Sequence, residues 1–125
     1  MGIQMPRALL VEDSSENRQL VTWILEDADY DIDEAENAED GISILKDHSV
    51  DVALMDISLP GMSGDSAIQY IRTELGLVDL PIIALTGHTL EEDHAKFKAS
   101  GATVILTKPI DEDLLLETLS SLVSV

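Results

Sequence analysis

The segment DVALMD, Asp51–Asp56, decides the fold, because it is a short apolar run that ends in a carboxylate. Three other apolar runs also end at residues able to do chemistry. These residues are Glu12 with Asp13, Thr86, and Lys108. If the runs are parallel strands, their carboxyl ends meet at one edge of a sheet, which is where open α/β sheets bind ligands. The sequence therefore predicts one functional site built from four strand ends.

Short apolar runs alternate with segments of helical periodicity along the 125 residues. The predicted strands are Ala8–Val11, Tyr30–Glu34, Val50–Met55, Pro81–Leu85 and Thr103–Thr107. The predicted helices are Ser15–Ala28, Ala38–Asp47, Ser66–Leu75, Glu91–Ser100 and one after Pro109 with Asp111 as its N-cap. In the first helix, the predicted apolar face holds Leu20, Ile24, Leu25 and Ala28. This alternation predicts a single doubly wound (βα)5 α/β domain over residues 1–125, with a five-stranded parallel sheet in the order 2-1-3-4-5.

The composition is strongly acidic, with 25 acidic residues against 7 basic ones and a net charge of −18. Such a charge disfavours nonspecific binding to nucleic acid or to anionic membranes, so neither is an expected partner. The absence of cysteine excludes disulfides and thiolate metal sites. No apolar stretch approaches the length of a membrane span and the N-terminus lacks a signal-peptide pattern, so we expect a cytoplasmic location.

One segment concentrates this charge: Glu26–Asp40 contains nine acids and no base. It could be a docking surface for a basic partner. A solvated face is the favoured interpretation, because runs of like charge usually face water.

The acidic residues at the strand ends predict a metal site. Two carboxylates ~4 Å apart repel by ~4 kcal/mol at an effective dielectric constant of about 20, which packing alone does not justify. Glu12, Asp13 and Asp56 would create this repulsion at the ends of the first and third strands. Oxygen ligands of this kind suit Mg²⁺, which prefers one or two carboxylates, several waters and a phosphate oxygen.

The remaining strand-end residues predict phosphate chemistry at the same place. Lys108 offers a compact positive charge, and Thr86 offers a hydroxyl for a phosphoryl oxygen. A carboxylate beside Mg²⁺ can act as the nucleophile in phosphoryl transfer and form an acyl phosphate. Each residue alone has an ordinary explanation as a turn, cap or surface residue, so their joint occurrence carries the prediction.

Four motifs together resemble the receiver domain of two-component response regulators. They are LLVEDS, ALMDISLPGMSG, ALTGH and ILTKPI, and the resemblance spans essentially the whole chain. It implies that Asp56 accepts a phosphoryl group from a sensor histidine kinase or a phosphotransfer protein. The chain would then be a switch and not an enzyme, with self-catalysed phosphoryl transfer and autodephosphorylation at most.

The same resemblance implies a role for each matching residue. Asp13 and Asp56 would bind Mg²⁺ through their side chains, Ser58 through its backbone carbonyl, and Glu12 through a bound water. Thr86 would be the switch hydroxyl, Lys108 the phosphoryl-binding lysine, and Lys108–Pro109 a cis peptide. The output surface for a downstream protein would be formed by the fourth helix, the fifth strand and the last helix.

Three positions vary among receivers. Ile105 stands at the switch position where many receivers have Tyr or Phe, so a rotating aromatic switch is not expected here and movement of Thr86 would act alone. Ser58 and His88 occupy positions that influence the lifetime of the phosphoryl group in that family. His88 is otherwise interpreted as a solvated loop histidine.

Three alternative functions fit the same architecture. An FMN-binding electron carrier of flavodoxin type is disfavoured by the acidic first loop, which would repel the FMN phosphate. A phosphohydrolase with an aspartate nucleophile would need a second aspartate where Ser58 stands. A receiver-like interaction module that is never phosphorylated is disfavoured by the intact set of acids, threonine and lysine.

Overall fold

Five parallel strands form one sheet, and a helix follows each strand. The computed structural model describes residues 5–87 and 89–123. The elements are β1 Arg7–Val11, α1 Ser15–Asp27, β2 Asp31–Ala35, α2 Ala38–Asp47, β3 Val52–Asp56, α3 Gly64–Thr73, β4 Ile82–Thr86, α4 Glu91–Ser100, β5 Val104–Thr107 and α5 Glu112–Leu122. The sheet order is β2-β1-β3-β4-β5 with every neighbouring pair parallel, which confirms the predicted fold.

Helices cover both faces of the sheet, so there are two layers of core. Successive strand residues point to opposite faces because the side-chain period of a strand is two. One face carries Leu9, Val11, Ala53, Met55, Ile82 and Ala84, which pack against α2, α3 and α4. The other carries Ala8, Leu10, Val52, Leu54, Ile83 and Leu85, which pack against α1 and α5. Burial on both faces explains why the central strands read as continuous apolar runs.

Three helix starts are fixed by side-chain caps. Ser14, Asn37 and Asp111 accept hydrogen bonds from the backbone N–H groups of Asn17, Asp40 and Leu114, respectively. The predicted N-cap role of Asp111 is therefore confirmed. The cap at Ser14 starts α1 immediately after the acidic residues that follow β1, so the loop between them is short.

The predicted apolar face of α1 is wrong at one position. Leu20 is 42% exposed, whereas Val21, Ile24 and Leu25 are buried. The buried stripe runs from Val21 with the spacing i, i+3, i+4, and Leu20 lies about 100° out of phase with it. Leu20 and the neighbouring Trp23, which is 66% exposed, form an apolar patch on the surface.

The acidic segment Glu26–Asp40 covers the end of α1, the edge strand β2 and the start of α2. Asp31 and Glu34 are exposed on this edge strand. Exposed charges on an edge strand prevent unwanted pairing with another chain. Among the described residues, no helix combines the length and the apolar character that crossing a membrane requires.

Candidate functional site

The strand ends bring the predicted site residues together at the carboxyl edge of the sheet. Asp56 and Thr86 are the last residues of β3 and β4, Glu12 and Asp13 follow β1 directly, and Lys108 follows β5 directly. Carboxylate oxygens of the three acids all lie within 4.8 Å of one another. These residues meet at the carboxyl edge because each strand ends where its apolar run reaches a polar residue.

Glu12 is a buried carboxylate held on several sides. Glu12 is only 1% exposed, and its Oε2 accepts a hydrogen bond of 3.1 Å from the backbone N–H of Ser14. Its Oε1 lies 2.9 Å from Lys108 Nζ as an ion pair and accepts no well-formed hydrogen bond from the described residues. Burial, followed by the contact with the Asp56 carboxyl, raises the pKa of Glu12 to about 6, against the opposing effects of Lys108 and Ser14.

Asp56 is also buried, with 2% exposure. Its Oδ1 accepts a hydrogen bond of 3.0 Å from the N–H of Ser58 and lies 3.2 Å from Lys108 Nζ. Two negative groups therefore share one lysine in a poorly solvated position.

The Lys108 ammonium is placed by the backbone as well as by its charge partners. The backbone N–H of Lys108 donates a hydrogen bond of 2.8 Å to the carbonyl of Thr86, a residue with no exposed surface. The Lys108–Pro109 peptide bond is cis. Burial lowers the pKa of Lys108, but Glu12 and Asp56 outweigh that effect, so the net pKa is raised and the lysine stays charged.

The donor set fits a hard divalent cation. Three carboxylates and one lysine leave two negative charges in excess, and the ligand atoms are all oxygens. The buried Glu12 Oε1, without a well-formed hydrogen bond, can accept one from a metal-bound water. Asp13 is exposed, so the cluster is open to solvent on its side.

Other predicted residues lie around this cluster. Ser58 is exposed two residues beyond Asp56. Ile105 lies within β5, is half-buried and packs against the core beneath α2, α3 and α4. His88 lies outside the described residues.

Sequence reasoning missed two residues that shape the site. Gly64 begins α3 so close to β3 that an added Cβ would collide with the backbone of Asp56 and Ile57, and its N–H donates 2.9 Å to the Ile57 carbonyl. The turn-forming run that precedes α3 was a usable signal for this close approach. Arg18, on the first turns of α1, donates 2.9 Å to the Glu12 carbonyl, and no local pattern marked it.

The sequence profile of the response regulator receiver domain matches residues 8–120. The chain belongs to the response regulator receiver family. This receiver is 34% identical over 120 residues to the protein PilH of Pseudomonas aeruginosa, covering 96% of this chain and 99% of PilH. It is 28% identical to the polar-differentiation response regulator DivK of Brucella anthropi, covering 94% and 96% of the two chains. A sensor protein of Pseudomonas syringae, GacS, is 34% identical over 115 residues that form 13% of its own length.

Solved structures agree with this assignment. The receiver superimposes on chemotaxis protein CheY4 of Vibrio cholerae with a TM-score of 0.89 and 32% identity, covering 96% of this chain and all of that one. The receiver domain of a sensor histidine kinase of Pseudomonas aeruginosa, solved with a magnesium ion coordinated in the active-site cleft, gives 0.87 and 28%, covering 95% and 98%. The chain is thus a receiver domain of two-component signalling, and its acidic cluster corresponds in kind to the acidic pocket at which receivers bind Mg²⁺.

Proposed function

We propose that this receiver is a phosphorylation-controlled switch and that Asp56 accepts the phosphoryl group. The observation that carries the proposal is the burial of Glu12 and Asp56 against a single lysine, Lys108, with the exposed Asp13 beside them. Folding alone does not favour a buried surplus of negative charge, but a cation and a phosphoryl group together would use it. The donor would be a sensor histidine kinase or a phosphotransfer protein, acting in the cytoplasm.

The residues of this cluster would also hold Mg²⁺. Asp13 and Asp56 would supply side-chain oxygens, Ser58 its backbone carbonyl, and Glu12 a hydrogen bond to a bound water. When bound, the ion would neutralise phosphoryl oxygens and orient the transferring group. The open side of the cluster at Asp13 gives the cation and the phosphodonor a route from solvent.

The chemical step would be carried out by the side chains that the strands place here. A carboxylate oxygen of Asp56 would form a bond to phosphorus as the P–N bond of the donor phosphohistidine breaks, and the released imidazole nitrogen would keep the bonding electron pair and take a proton from water. Lys108 would bind one phosphoryl oxygen, and the Thr86 hydroxyl would bind another. The protein would act on its own Asp56 only, catalysing its phosphorylation and dephosphorylation but no turnover of a separate substrate.

The proposed output is a change in the surface formed by α4, β5 and α5. The Thr86 carbonyl holds the N–H of Lys108, so movement of Thr86 toward a phosphoryl group would disturb the end of β5. Ile105 cannot swing a polar tip between solvent and core, so a modest change in backbone and loop position is expected. Amide exchange of the beryllofluoride–Mg²⁺ form should differ from that of the free protein in residues 86–100 and 103–108. Changes confined to Glu26–Asp40 would refute this choice of surface.

Intact-mass measurement tests the phosphorylation directly. Incubation with acetyl phosphate and Mg²⁺ should add one phosphoryl group, whereas EDTA should prevent the addition. Asp56→Asn should abolish it. Asp51→Asn is the matched control, because Asp51 lies before the opposite end of β3, where its Oδ2 accepts 2.7 Å from the N–H of Arg7. Equal labelling of Asp56→Asn and wild type would refute the assignment.

A further inference from the structure

Arg18 uses its whole guanidinium group next to the acidic cluster. Its Nη1 donates 2.9 Å to the Glu12 carbonyl, its Nε lies 3.4 Å from Glu34 Oε1, and its Nη2 lies 3.3 Å from Glu36 Oε1. The side chain is only 17% exposed, so this geometry is held by packing as well as by charge. Each of the three guanidinium nitrogens has a partner, and the partners come from two different loops and a strand.

The carbonyl that Arg18 binds belongs to the peptide between Glu12 and Asp13. A hydrogen bond to that oxygen restricts the rotation of the peptide plane, which sets the direction in which Asp13 leaves the backbone. The N–H of Glu12 donates 3.0 Å to the carbonyl of Ala35 at the end of β2. Both the N–H and the carbonyl of Glu12 are thus hydrogen-bonded, and Arg18 donates the bond to the carbonyl that precedes Asp13.

Glu34 and Glu36 give Arg18 its anchor. Glu34 lies in β2 and Glu36 directly follows that strand, so the arginine joins the β1–α1 loop to the sheet edge. A planar guanidinium can hold three partners in fixed directions, whereas a lysine ammonium is a compact charge on a flexible stem. The arrangement therefore depends on the shape of the side chain as much as on its charge.

We infer that Arg18 is a positioning residue that holds the β1–α1 loop so that Glu12 and Asp13 face Asp56 and a cation. This inference rests on the proposed metal site and extends it to a residue that contacts neither the ion nor the phosphoryl group. Arg18 keeps the acids in place before the ion arrives, which lowers the cost of assembling the site.

A purely electrostatic role predicts the opposite sign. A positive charge near a cation site repels the cation, so removing Arg18 would then strengthen Mg²⁺ binding. A positioning role predicts weaker binding, because the loop that carries two of the acids becomes less ordered. The direction of the change in Mg²⁺ dissociation constant therefore decides between the two roles.

Arg7 is a matched control within the same strand pair. Its Nη1 lies 3.2 Å from Asp33, in the middle of β2, and its Nη2 lies 3.8 Å from Asp31, at the amino end of that strand. Arg7→Met removes one positive charge and two carboxylate contacts, as Arg18→Met does, but it touches no part of the β1–α1 loop. If weaker Mg²⁺ binding came only from a loss of stability, Arg7→Met and Arg18→Met should therefore both show it.

The test compares wild type, Arg18→Met, Arg18→Lys and Arg7→Met by calorimetric titration with Mg²⁺ and by amide exchange in EDTA. Both Arg18 variants should bind Mg²⁺ about three- to tenfold more weakly, because ordering the β1–α1 loop on binding costs about as much as immobilising one side chain. Their Ser14 amide, which bonds Glu12 Oε2, should exchange faster without metal. Arg7→Met should match wild type in both measurements.

Several outcomes would overturn the inference. These are unchanged or tighter Mg²⁺ binding in Arg18→Met, wild-type binding in Arg18→Lys, or equal weakening in Arg7→Met. Absence of Mg²⁺ binding by the wild type would instead refute the proposed metal site. In that case, faster Ser14 exchange confined to the Arg18 variants would still support the positioning role, and unchanged exchange would refute it.

Discussion

The two edges of the sheet both combine acids with basic groups, yet they treat these charges differently. At the carboxyl edge, Glu12 and Asp56 are 1% and 2% exposed and share Lys108. On the side of the amino edge, where β1 begins at Arg7, Asp33 of β2 is bonded to Arg7 at 3.2 Å and to His48 at 2.7 Å, and all three side chains are partly exposed. The carboxyl edge thus buries two carboxylates against one lysine, whereas the amino edge keeps one carboxylate partly exposed and pairs it with two basic groups.

The pKa directions express the same difference. Burial raises the pKa of Glu12, so the fold there disfavours the charged form. At Asp33, burial also acts to raise the pKa, but the contacts with His48 and Arg7 together outweigh it and the net pKa is lowered. A carboxylate with a lowered pKa contributes to folding, whereas one with a raised pKa opposes it at neutral pH. Buried surplus charge therefore marks the functional edge, and exposed paired charge marks the structural one.

The largest expected effect comes from removing Lys108, the lysine that Glu12 and Asp56 share. Lys108→Ala should reduce the rate of acetyl-phosphate labelling by at least about tenfold, equal to ~1.4 kcal/mol of barrier, because the phosphoryl oxygens lose a fixed counter-charge. Its Mg²⁺ binding should persist. Lys96→Ala is the control, since Lys96 is 71% exposed and forms only a loose ion pair, with 3.7 Å between its Nζ and Asp65 Oδ2. Comparable labelling by both variants would remove Lys108 from the site.

A smaller effect is expected when one aspartate at each edge is replaced by asparagine, and the change in the free energy of unfolding should have opposite signs at the two edges. In EDTA at neutral pH, Asp56→Asn should raise the free energy of unfolding by about 1 kcal/mol, because it relieves repulsion with Glu12. Asp33→Asn should lower it by ~0.5 kcal/mol, because it weakens a partly exposed ion pair. Urea unfolding of both variants and wild type measures the two changes. Destabilisation by both would show that the carboxyl edge is not under electrostatic strain.

The dependence of stability on pH should sharpen that contrast. The Asp33 contribution is fully present above the pKa of an unfolded aspartate and is lost as pH falls through the lowered folded pKa. The Glu12 contribution runs the other way: it is present below the unfolded value and is lost as pH rises through about 6. Asp33→Asn should therefore flatten the acid side of the unfolding profile in EDTA and leave the loss near pH 6 unchanged.

Much of this arrangement could be predicted from the sequence because it follows from periodicity. Apolar runs that end in Asp56, Thr86 or Lys108 place those residues at one sheet edge once the strands are parallel. Burial of individual acids could not be predicted, since Glu12 and Asp13 are adjacent and only Glu12 is enclosed. That difference depends on packing between segments distant in the chain.

The residues that the sequence did not reveal act through such distant contacts. Arg18 makes its contacts only because β2 lies beside the β1–α1 loop. Gly64 is required only because α3 starts against the end of β3. The error at Leu20 has a different origin, because two adjacent apolar residues in α1 allowed two helical phases. Packing against β1 and α5 selects the phase that begins at Val21.

Localising the phosphoryl group within the chain tests the central claim most directly. Acetyl-phosphate labelling in Mg²⁺, followed by borohydride reduction of the acyl phosphate and peptide mass mapping, identifies the modified carboxylate. The account predicts reduction at Asp56 only, dependent on Mg²⁺ and absent in EDTA. Reduction at Glu12 or Asp13, or equal reduction of Asp56 with and without Mg²⁺, would contradict it.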